Sequence, residues 1–329
     1  MQSAATRAGS IFKSDAVQKL LALGALVILI IVFAIFAPYF ATWSNAQGIF
    51  LATSVTGILA MGVTFVIITA GIDLSIGTVM TLSAVMTGVF VTNLGLPWGI
   101  GIVAGILTGT LMGAINGTLI ARFGLPPFIA TLGMLNIARG LALVISELRP
   151  IYFPDQPEFN EAFMGSFLKD FGLPDLPNLF FVFVVVAVVA AFILSRTILG
   201  RYIFAIGSNE EATRLSGVRT MRYKASAYIL SGMFAGIAGV VMAARLNSAQ
   251  PAVGFGYELD AIAAAVIGGT SLAGGEGSIF GTVIGAFIIS VLTNGLRLMD
   301  VPQEWQTVVT GCIVILAVYL DIIRRRRQG

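Results

Sequence analysis

The sequence has no histidine, a single cysteine and few charged residues, which make up 11% of its 329 positions. The absence of histidine excludes catalytic triads with a histidine base, imidazole metal sites and histidine proton relays. The lone Cys312 excludes an internal disulfide and a cysteine-based metal cluster, and its apolar neighbours predict a small, buried side chain. Soluble domains carry about 25% charge. The low charge, together with 57% hydrophobic residues, therefore predicts an integral membrane protein.

Apolar runs recur along the whole chain, and a helix that crosses a bilayer needs about 20 apolar residues. We count ten such runs, at 20–37, 49–70, 78–94, 97–119, 127–146, 178–195, 224–244, 259–273, 278–298 and 303–322. Glycine and charged residues interrupt them at 71–77 (GIDLSIG) and within 245–277, which is typical of broken or re-entrant helices. The polar stretch before the first run is too long for a cleaved signal peptide, so we expect the first span to remain. The predicted fold class is an all-α integral membrane protein, a polytopic bundle of about ten transmembrane helices.

Basic residues are distributed unevenly between alternate loops, and this asymmetry predicts the orientation in the membrane. With the N-terminus in the cytoplasm, 14 of the 19 basic residues fall on the inner side. The outer loop 147–177 has an acidic balance and holds five of the eleven prolines, which predicts an ordered surface turn rather than a span. We therefore expect a cytoplasmic tail over 1–19, a transmembrane domain over 20–322 with a cytoplasmic loop at 196–224, and a basic cytoplasmic tail over 323–329.

Two glycine stripes predict close packing between helices. They comprise Gly101, Gly105, Gly109, Gly113 and Gly117 in one predicted span, and Gly277, Gly281 and Gly285 in another. Glycine at every fourth position removes side-chain bulk from one helix face and allows a neighbouring helix to approach closely. A flexible hinge is the alternative, which the regular spacing disfavours. We expect both helices in the interior of the bundle.

A dense cluster of charge lies in the stretch GSNEEATRLSG, Gly207 to Gly217, within the predicted loop 196–224. Ser208 and Glu211 have the spacing of a capping box, which predicts a short helix over 209–216. In this helix Ala212 and Leu215 form a narrow apolar ridge, and charges of both signs flank it. The residues expected to take part are Asn209, Glu210, Glu211, Ala212, Arg214 and Leu215. A helix on a membrane surface would show a wider apolar face, so this ridge favours a groove on a partner protein. The alternative is a solvated loop helix that contacts nothing.

Two long stretches carry a resemblance to a known family. LGRYIFAIGSNEEATRLSGVRTMRYKASAYILSGMFAGIAGVV and ARLNSAQPAVGFGYELDAIAAAVIGGTSLAGGEGSIFGTVIGAFI closely resemble the permease subunit of bacterial ABC importers for monosaccharides, the ribose, xylose and arabinose group. The upstream stretches TAGIDLSIG and FIATLGMLNIARGLALV match the same family, so the resemblance covers nearly all of the chain from about residue 45. It implies that Gly207 to Gly217 holds the coupling helix, which is seated on an ATP-binding subunit.

The resemblance also implies partners and a location. It implies a multi-pass protein of the bacterial inner membrane with both termini cytoplasmic, a cytoplasmic ATP-binding subunit, a periplasmic sugar-binding protein and a second permease subunit, identical or paralogous. No cofactor is expected in this chain, because GGEGSIFGT lacks the lysine of a phosphate-binding loop. ATP and Mg²⁺ would then be bound by the partner ATPase, and the chain itself would not be an enzyme. No nucleic acid partner is expected.

Polar residues in or beside the spans are candidates for the transport pathway. They are Asp73, Asn116, Asn136, Asn247, Gln250, Glu258 and Asp260, with Asn294 as a further amide. Buried acids in membranes are costly and often functional, but Asp73, Glu258 and Asp260 are also placed to cap helix N-termini. The amides could equally bond helix to helix. We expect Arg139 and Arg245 to pair with helix ends or with acids such as Glu258.

These observations predict a permease that moves a monosaccharide by alternating access. A branched-chain amino-acid permease is the nearest alternative, because its glycine-rich C-terminal half is similar. An ion-coupled secondary transporter would need membrane-embedded acids coupled to flux and no ATPase. A membrane-embedded enzyme is disfavoured by the missing histidine and the missing cysteine pairs.

Overall fold

Helices form nearly all of the regular structure in the computed structural model, which describes residues 15–153, 156–172 and 174–326. The helices are α1 (Asp15–Phe36), α2 (Trp43–Ile68), α3 (Ile76–Gly88), α4 (Trp98–Ala121), α5 (Pro127–Ile145), α6 (Pro157–Met164), α7 (Asn178–Arg196), α8 (Ile198–Ser208), α9 (Glu210–Leu215), α10 (Thr220–Leu246), α11 (Tyr257–Ile267), α12 (Ile279–Leu298) and α13 (Gln303–Arg326). A π-helical turn, Val89–Asn93, extends α3, and a 3₁₀ turn, Phe167–Phe171, follows α6. Two short strands, β1 (Ile151–Tyr152) and β2 (Ser248–Ala249), pair antiparallel.

The predicted fold class is confirmed. Among the described residues, eight helical segments are long and apolar enough to cross a membrane: α1, α2, α3 with its π turn, α4, α5, α7, α10 and α12. Helix α13 covers the tenth apolar run, and α11 covers the eighth run with only 11 residues. An α-helix rises 1.5 Å per residue, so α11 alone is too short to cross the hydrocarbon core. Segment 268–278, which links α11 to α12, is irregular.

The centre of the bundle is α10, which packs against α2, α3 and α4. Close approach to α4 depends on glycine: a Cβ on Gly109 would overlap the Gly232 carbonyl oxygen and lie 2.6 Å from the Gly236 nitrogen. Aliphatic residues such as Leu107, which is 60% exposed, cover the opposite face of α4. Such a face suits contact with lipid tails.

The other stripe glycines also lie against backbone or side chains of neighbouring elements. Gly101 and Gly105 meet the second half of α3 and its π turn, Gly113 and Gly117 meet the first half of α10, and Gly281 and Gly285 meet α11 and the segment after it. Gly277 departs from the expected stripe, because α12 begins only at Ile279. It lies instead in the preceding segment, against Ile68 and Thr270.

Two interruptions break the bundle, near the places where glycine and charge interrupt the apolar runs. Segment 69–75 separates α2 from α3, and segment 247–256 separates α10 from α11. The first interruption reaches the level of Ser231, near the middle of α10, because the Asp73 carboxylate accepts a hydrogen bond from the Ser231 hydroxyl at 2.8 Å. The first irregular segment is therefore inside the bundle rather than at its end.

The described part of the loop between α5 and α7 is ordered and lies against the bundle. It contains β1, α6 and the 3₁₀ turn. Phe159 is completely buried, and the Asn160 amide donates to the Ala244 carbonyl at 2.9 Å. The expectation of a buried Cys312 is wrong, because its side chain is exposed on α13 at the edge of the bundle. The tail residues 1–14 and 327–329, expected in the cytoplasm, lie outside the described residues.

Candidate functional site

The charged stretch Gly207 to Gly217 folds as the corner between α8 and α9. Asn209 caps α9, since its side-chain oxygen accepts a hydrogen bond from the Ala212 N–H at 2.9 Å. The expected capping box from Ser208 to Glu211 is therefore wrong: Ser208 ends α8, and the cap lies one residue later. Asparagine and serine are both good N-caps, so composition alone does not separate the two registers.

Helix α9 turns one face inward and one outward. The buried Thr213 faces the bundle, whereas Ala212 and Leu215 face outward, with Leu215 77% exposed. Glu211 and Arg214 form an exposed ion pair at 2.6 Å. The Arg214 guanidinium, through this hydrogen bond and its charge, holds the pKa of the Glu211 carboxyl below its usual value. The exposed ridge and its charged rim are thus free to meet another protein.

Two contacts fix α9 to the bundle. Lys224, in the first turns of α10, forms an ion pair with Glu210 at 2.8 Å. The second contact lies just before α9, in the last turn of α8: Gly207 packs directly on the Ile68 carbonyl, where any Cβ would overlap the oxygen. The same carbonyl accepts a hydrogen bond from the Gly275 N–H at 2.9 Å. Backbone therefore meets backbone where α8, the end of α2 and the segment before α12 come together, and we call this contact the glycine junction.

A buried polar cluster occupies the first interruption. The Asp73 carboxylate accepts hydrogen bonds from the Ser75 N–H at 3.0 Å, the Ser75 hydroxyl at 2.6 Å and the Ser231 hydroxyl at 2.8 Å. Asn116 on α4 donates to the Ser75 hydroxyl at 3.0 Å, and the Tyr228 hydroxyl donates to the Ile72 carbonyl at 3.3 Å. Asp73 and Asn116 are each 1% exposed. This cluster joins α4 and α10 to the start of α3.

The second interruption lies directly against α3. Gly254 and Gly77 approach so closely that a Cβ on either would overlap the carbonyl oxygen of the other. The Glu258 carboxylate accepts hydrogen bonds from the Gly256 N–H at 3.1 and 3.2 Å, as expected of an acid at a helix N-terminus. Arg139 of α5 lies over the Phe255 ring, 5.1 Å from its centroid.

Beside this contact, α3, α5 and the second interruption enclose a small cleft of about 10 Å³, room for roughly one water molecule. Its walls are formed by Thr78, Thr81, Arg139, Pro251, Ala252, Gly254 and Phe255. The cleft combines an aromatic face, a guanidinium and two hydroxyls, and it holds no carboxylate. Such a surface suits a neutral hydroxylated molecule better than a cation.

The other sequence-predicted candidates are dispersed. Asn136 is exposed on α5 and bonds to the Leu132 carbonyl of its own helix at 3.0 Å. Asn247 ends α10 in a left-handed conformation, φ 48°, which asparagine tolerates. Gln250 donates to the Ser248 hydroxyl at 3.0 Å, and Asp260 is half-buried in the first turn of α11. None of these four touches the Asp73 cluster.

Two further polar side chains, those of Asn294 and Arg245, lie outside both interruptions. Asn294 of α12 donates to the Asn45 side chain of α2 at 2.9 Å, so it joins two helices. Arg245 lies in the last turn of α10.

Sequence reasoning missed the partners that complete both clusters. Ser75, Ser231 and Tyr228 surround Asp73, and Phe255 faces Arg139. The contact between Ser75 and Asp73 could have been predicted from the sequence, because Ser75 lies two residues after Asp73 in the same interruption. The remaining three come from elements distant in the chain, and no local pattern marks them. Among the described residues, no group of three or more His, Cys, Asp or Glu side chains could hold a metal ion.

Comparison with known proteins gives concordant matches. Residues 45–318 match the family described as branched-chain amino acid transport system, permease component. The chain is 41% identical over 304 residues to the ribose import permease protein RbsC of Escherichia coli K12, covering 90% of this chain and 91% of that protein. It is 40% identical over 299 residues to RbsC of Haemophilus influenzae, covering 90% and 91%. It is 37% identical over 308 residues to the L-arabinose transport system permease protein AraH of E. coli, covering 93% and 92%. No solved structure matches.

Proposed function

This chain belongs to the family of permease components of branched-chain amino acid transport systems, and from that membership and its similarity to sugar permeases we propose that it is the membrane subunit of an ABC importer for a monosaccharide. One observation carries the assignment to sugars: relatives named as ribose, allose, fructose and arabinose permeases are 37–41% identical over most of the chain. The family description alone would equally suit amino-acid transport. The chain is a transport component rather than an enzyme.

The importer includes an ATPase and a substrate-binding protein. We propose that the ATPase binds the ridge of Ala212 and Leu215 on α9, with the charges of Glu210, Glu211 and Arg214 at the rim. Support comes from the exposure of Leu215, since an apolar side chain flanked by charges suits a protein groove. ATP and Mg²⁺ would bind to that partner.

The orientation belongs to the same proposal. Helix α9 and both chain termini lie on the cytoplasmic side of the bacterial inner membrane, where basic residues accumulate. The loop between α5 and α7 faces the periplasm and the sugar-binding protein. A second permease subunit, identical or paralogous, completes the pathway, because one copy leaves Arg139 and Asn136 of α5 exposed.

Alternating access follows from how the interruptions connect to α9. The glycine junction links α8 to the end of α2, directly before the first interruption. ATP-driven movement of α9 therefore acts on helix ends inside the bundle. In this scheme the sugar passes when the two copies rock between outward-open and inward-open arrangements.

Reconstitution tests the function directly. The tagged permease is purified from its native membranes with its copurifying ATPase, placed in liposomes, and supplied with the binding protein encoded beside it. We expect ATP-dependent uptake of at least one of radiolabelled D-ribose, D-allose, D-fructose or L-arabinose, and no uptake of leucine. Uptake of leucine alone would identify an amino-acid permease. Sugar uptake that follows an ion gradient without ATP would identify a secondary transporter.

A further inference from the structure

The irregular segment 247–256 runs through the bundle rather than over its surface. After β2 it passes the start of α3, where Gly254 packs against Gly77 and Thr81, and α11 begins at Tyr257. Ala252 and Phe255 are nevertheless exposed, with Phe255 63% accessible. Non-helical backbone at membrane depth is tolerated only where protein buries it or where it lines water. The exposed side of this segment therefore faces a water-filled space or a partner chain, and not lipid.

Arg139 leads to the same conclusion independently. It is exposed and lies within α5, a helix that is otherwise apolar enough to span the membrane. A charged side chain inside a membrane almost always faces a protein interior or a water-filled cavity. Because Arg139 lies over Phe255, both observations mark the same small area.

The chemistry of this area matches one class of solute. A sugar presents an apolar C–H face, which packs on an aromatic ring, and a set of hydroxyls, which accept hydrogen bonds from a guanidinium. Thr78 and Thr81 also line the cleft; the Thr78 hydroxyl donates to the Ser75 carbonyl at 3.0 Å, and the Thr81 hydroxyl donates to the Gly77 carbonyl at 3.2 Å. Those oxygens are thus left as acceptors for a hydroxyl of the sugar.

The size of the cleft indicates a constriction rather than a storage site. The space that a solute could enter is about 10 Å³, far below the roughly 300 Å³ at which ligand pockets usually begin. The guanidinium also covers the ring on which a sugar would stack. A solute can pass only if Arg139 moves away from Phe255. A neutral polyol can then replace the lost contact, because it can bind both the guanidinium and the ring.

We propose that Arg139 and Phe255 form the sugar-contacting constriction of the translocation pathway. The sugar displaces the guanidinium from the ring, stacks on Phe255 and bonds through its hydroxyls to Arg139, Thr78 and Thr81. This inference rests on the proposed monosaccharide transport and adds the residues that contact the sugar during passage. A face buried by a partner chain is the alternative that the first experiment tests.

Thiol accessibility tests the cavity without reference to transport. Phe255→Cys and Leu107→Cys are made in a Cys312→Ser background, since Cys312 is exposed. The two positions are a matched pair, 63% and 60% exposed in the single chain, but α4 turns Leu107 toward lipid. A thiol reacts as its thiolate, which forms in water. We expect a membrane-impermeant methanethiosulfonate to modify Phe255→Cys at least tenfold faster than Leu107→Cys in the assembled transporter.

Ala252→Cys on the same segment serves as the second variant if Phe255→Cys does not accumulate. Equal and slow modification of the segment and of Leu107→Cys would mean that lipid or a partner chain covers the area, and would overturn the proposal.

Transport by point variants tests the contact with sugar. We expect Phe255→Leu and Arg139→Lys to lower the rate of sugar uptake about tenfold, because leucine lacks the aromatic face and lysine lacks the planar fork of donors that stacks on a ring. Phe255→Tyr keeps the ring and should restore uptake. Copurification with the ATPase should stay unchanged in all three, because α9 is untouched. Wild-type rates in Phe255→Leu and Arg139→Lys would overturn this inference alone, whereas a wild-type chain that takes up no sugar overturns the proposed function.

Discussion

Truncation of Leu215 is the sharpest test of how the permease meets its ATPase. The side chain is 77% exposed in the single chain, and complete burial of a leucine side chain stabilises by about 1.5–3 kcal/mol. Covering the exposed part would therefore contribute about 1–2 kcal/mol to binding. Leu215→Ala loses most of this contribution, so we expect the Kd for the ATPase to rise about 5- to 30-fold. Leu215→Asp places a charge in the same groove and should abolish binding.

The assay separates docking from folding. Because Leu215 makes little contact within the chain, substitution there should change the thermal unfolding of the detergent-solubilised permease very little. Binding is measured by titrating the purified ATPase onto the permease, and sugar-stimulated ATP hydrolysis is measured in liposomes. Glu211→Gln is the control on the same helix: its ion pair with Arg214 is fully exposed and screened by solvent, so binding should change only mildly.

The result that would refute the reasoning is specific. A Leu215→Asp permease that is inserted and folded, binds the ATPase with normal affinity and imports sugar at the normal rate would remove α9 from the interface. The stretch from Gly207 to Gly217 would then be a solvated loop. A stronger effect of Glu211→Gln than of Leu215→Ala would instead mean that charge, and not the apolar ridge, carries docking.

Three further predictions follow from the orientation, the packing and the buried acid. Cysteines at Glu158 and Ser216, in a Cys312→Ser background, should react with an impermeant thiol reagent from the periplasmic and cytoplasmic sides respectively; reaction of both from one side would contradict the topology. Gly109→Leu should push α4 from α10 and lower the yield of assembled permease, and a normal yield would place that helix face toward lipid. Asp73→Ala should lower the free energy of unfolding by about 1.5–3 kcal/mol, the usual contribution of hydrogen bonds to a charged group; a denaturation midpoint equal to the wild type would show that the acid does not hold the cluster together.

The positions of the helices could be predicted from the sequence because few backbone structures can cross a bilayer. Long apolar runs must form helices that satisfy their own backbone, and the runs 127–146 and 278–298 each differ from α5 and α12 by a single residue at one end. Burial could not be predicted in the same way. Cys312 lies in an apolar run, yet it is exposed, because a helix at the edge of a membrane bundle can be apolar on a face that contacts no other part of the chain.

The candidate site was predicted where its signals are local. The short charged helix and the two interruptions were visible as capping residues, glycines and charges within a few positions. The contact between Arg139 and Phe255 was not, because it joins a spanning helix to an irregular segment far along the chain. Gly207 was likewise unremarkable in the sequence, since what makes it necessary is the Ile68 carbonyl packed against it.

The glycine junction has a mechanical consequence. A contact made of backbone alone contains no rotamers, so a displacement of α8 cannot be absorbed by a side chain that turns aside. A displacement of α9 that moves α8 must therefore also move the end of α2 and the segment before α12 by the same amount. The compliance that lets the permease change shape must then lie beyond the junction, in the irregular segments that separate α2 from α3 and α10 from α11.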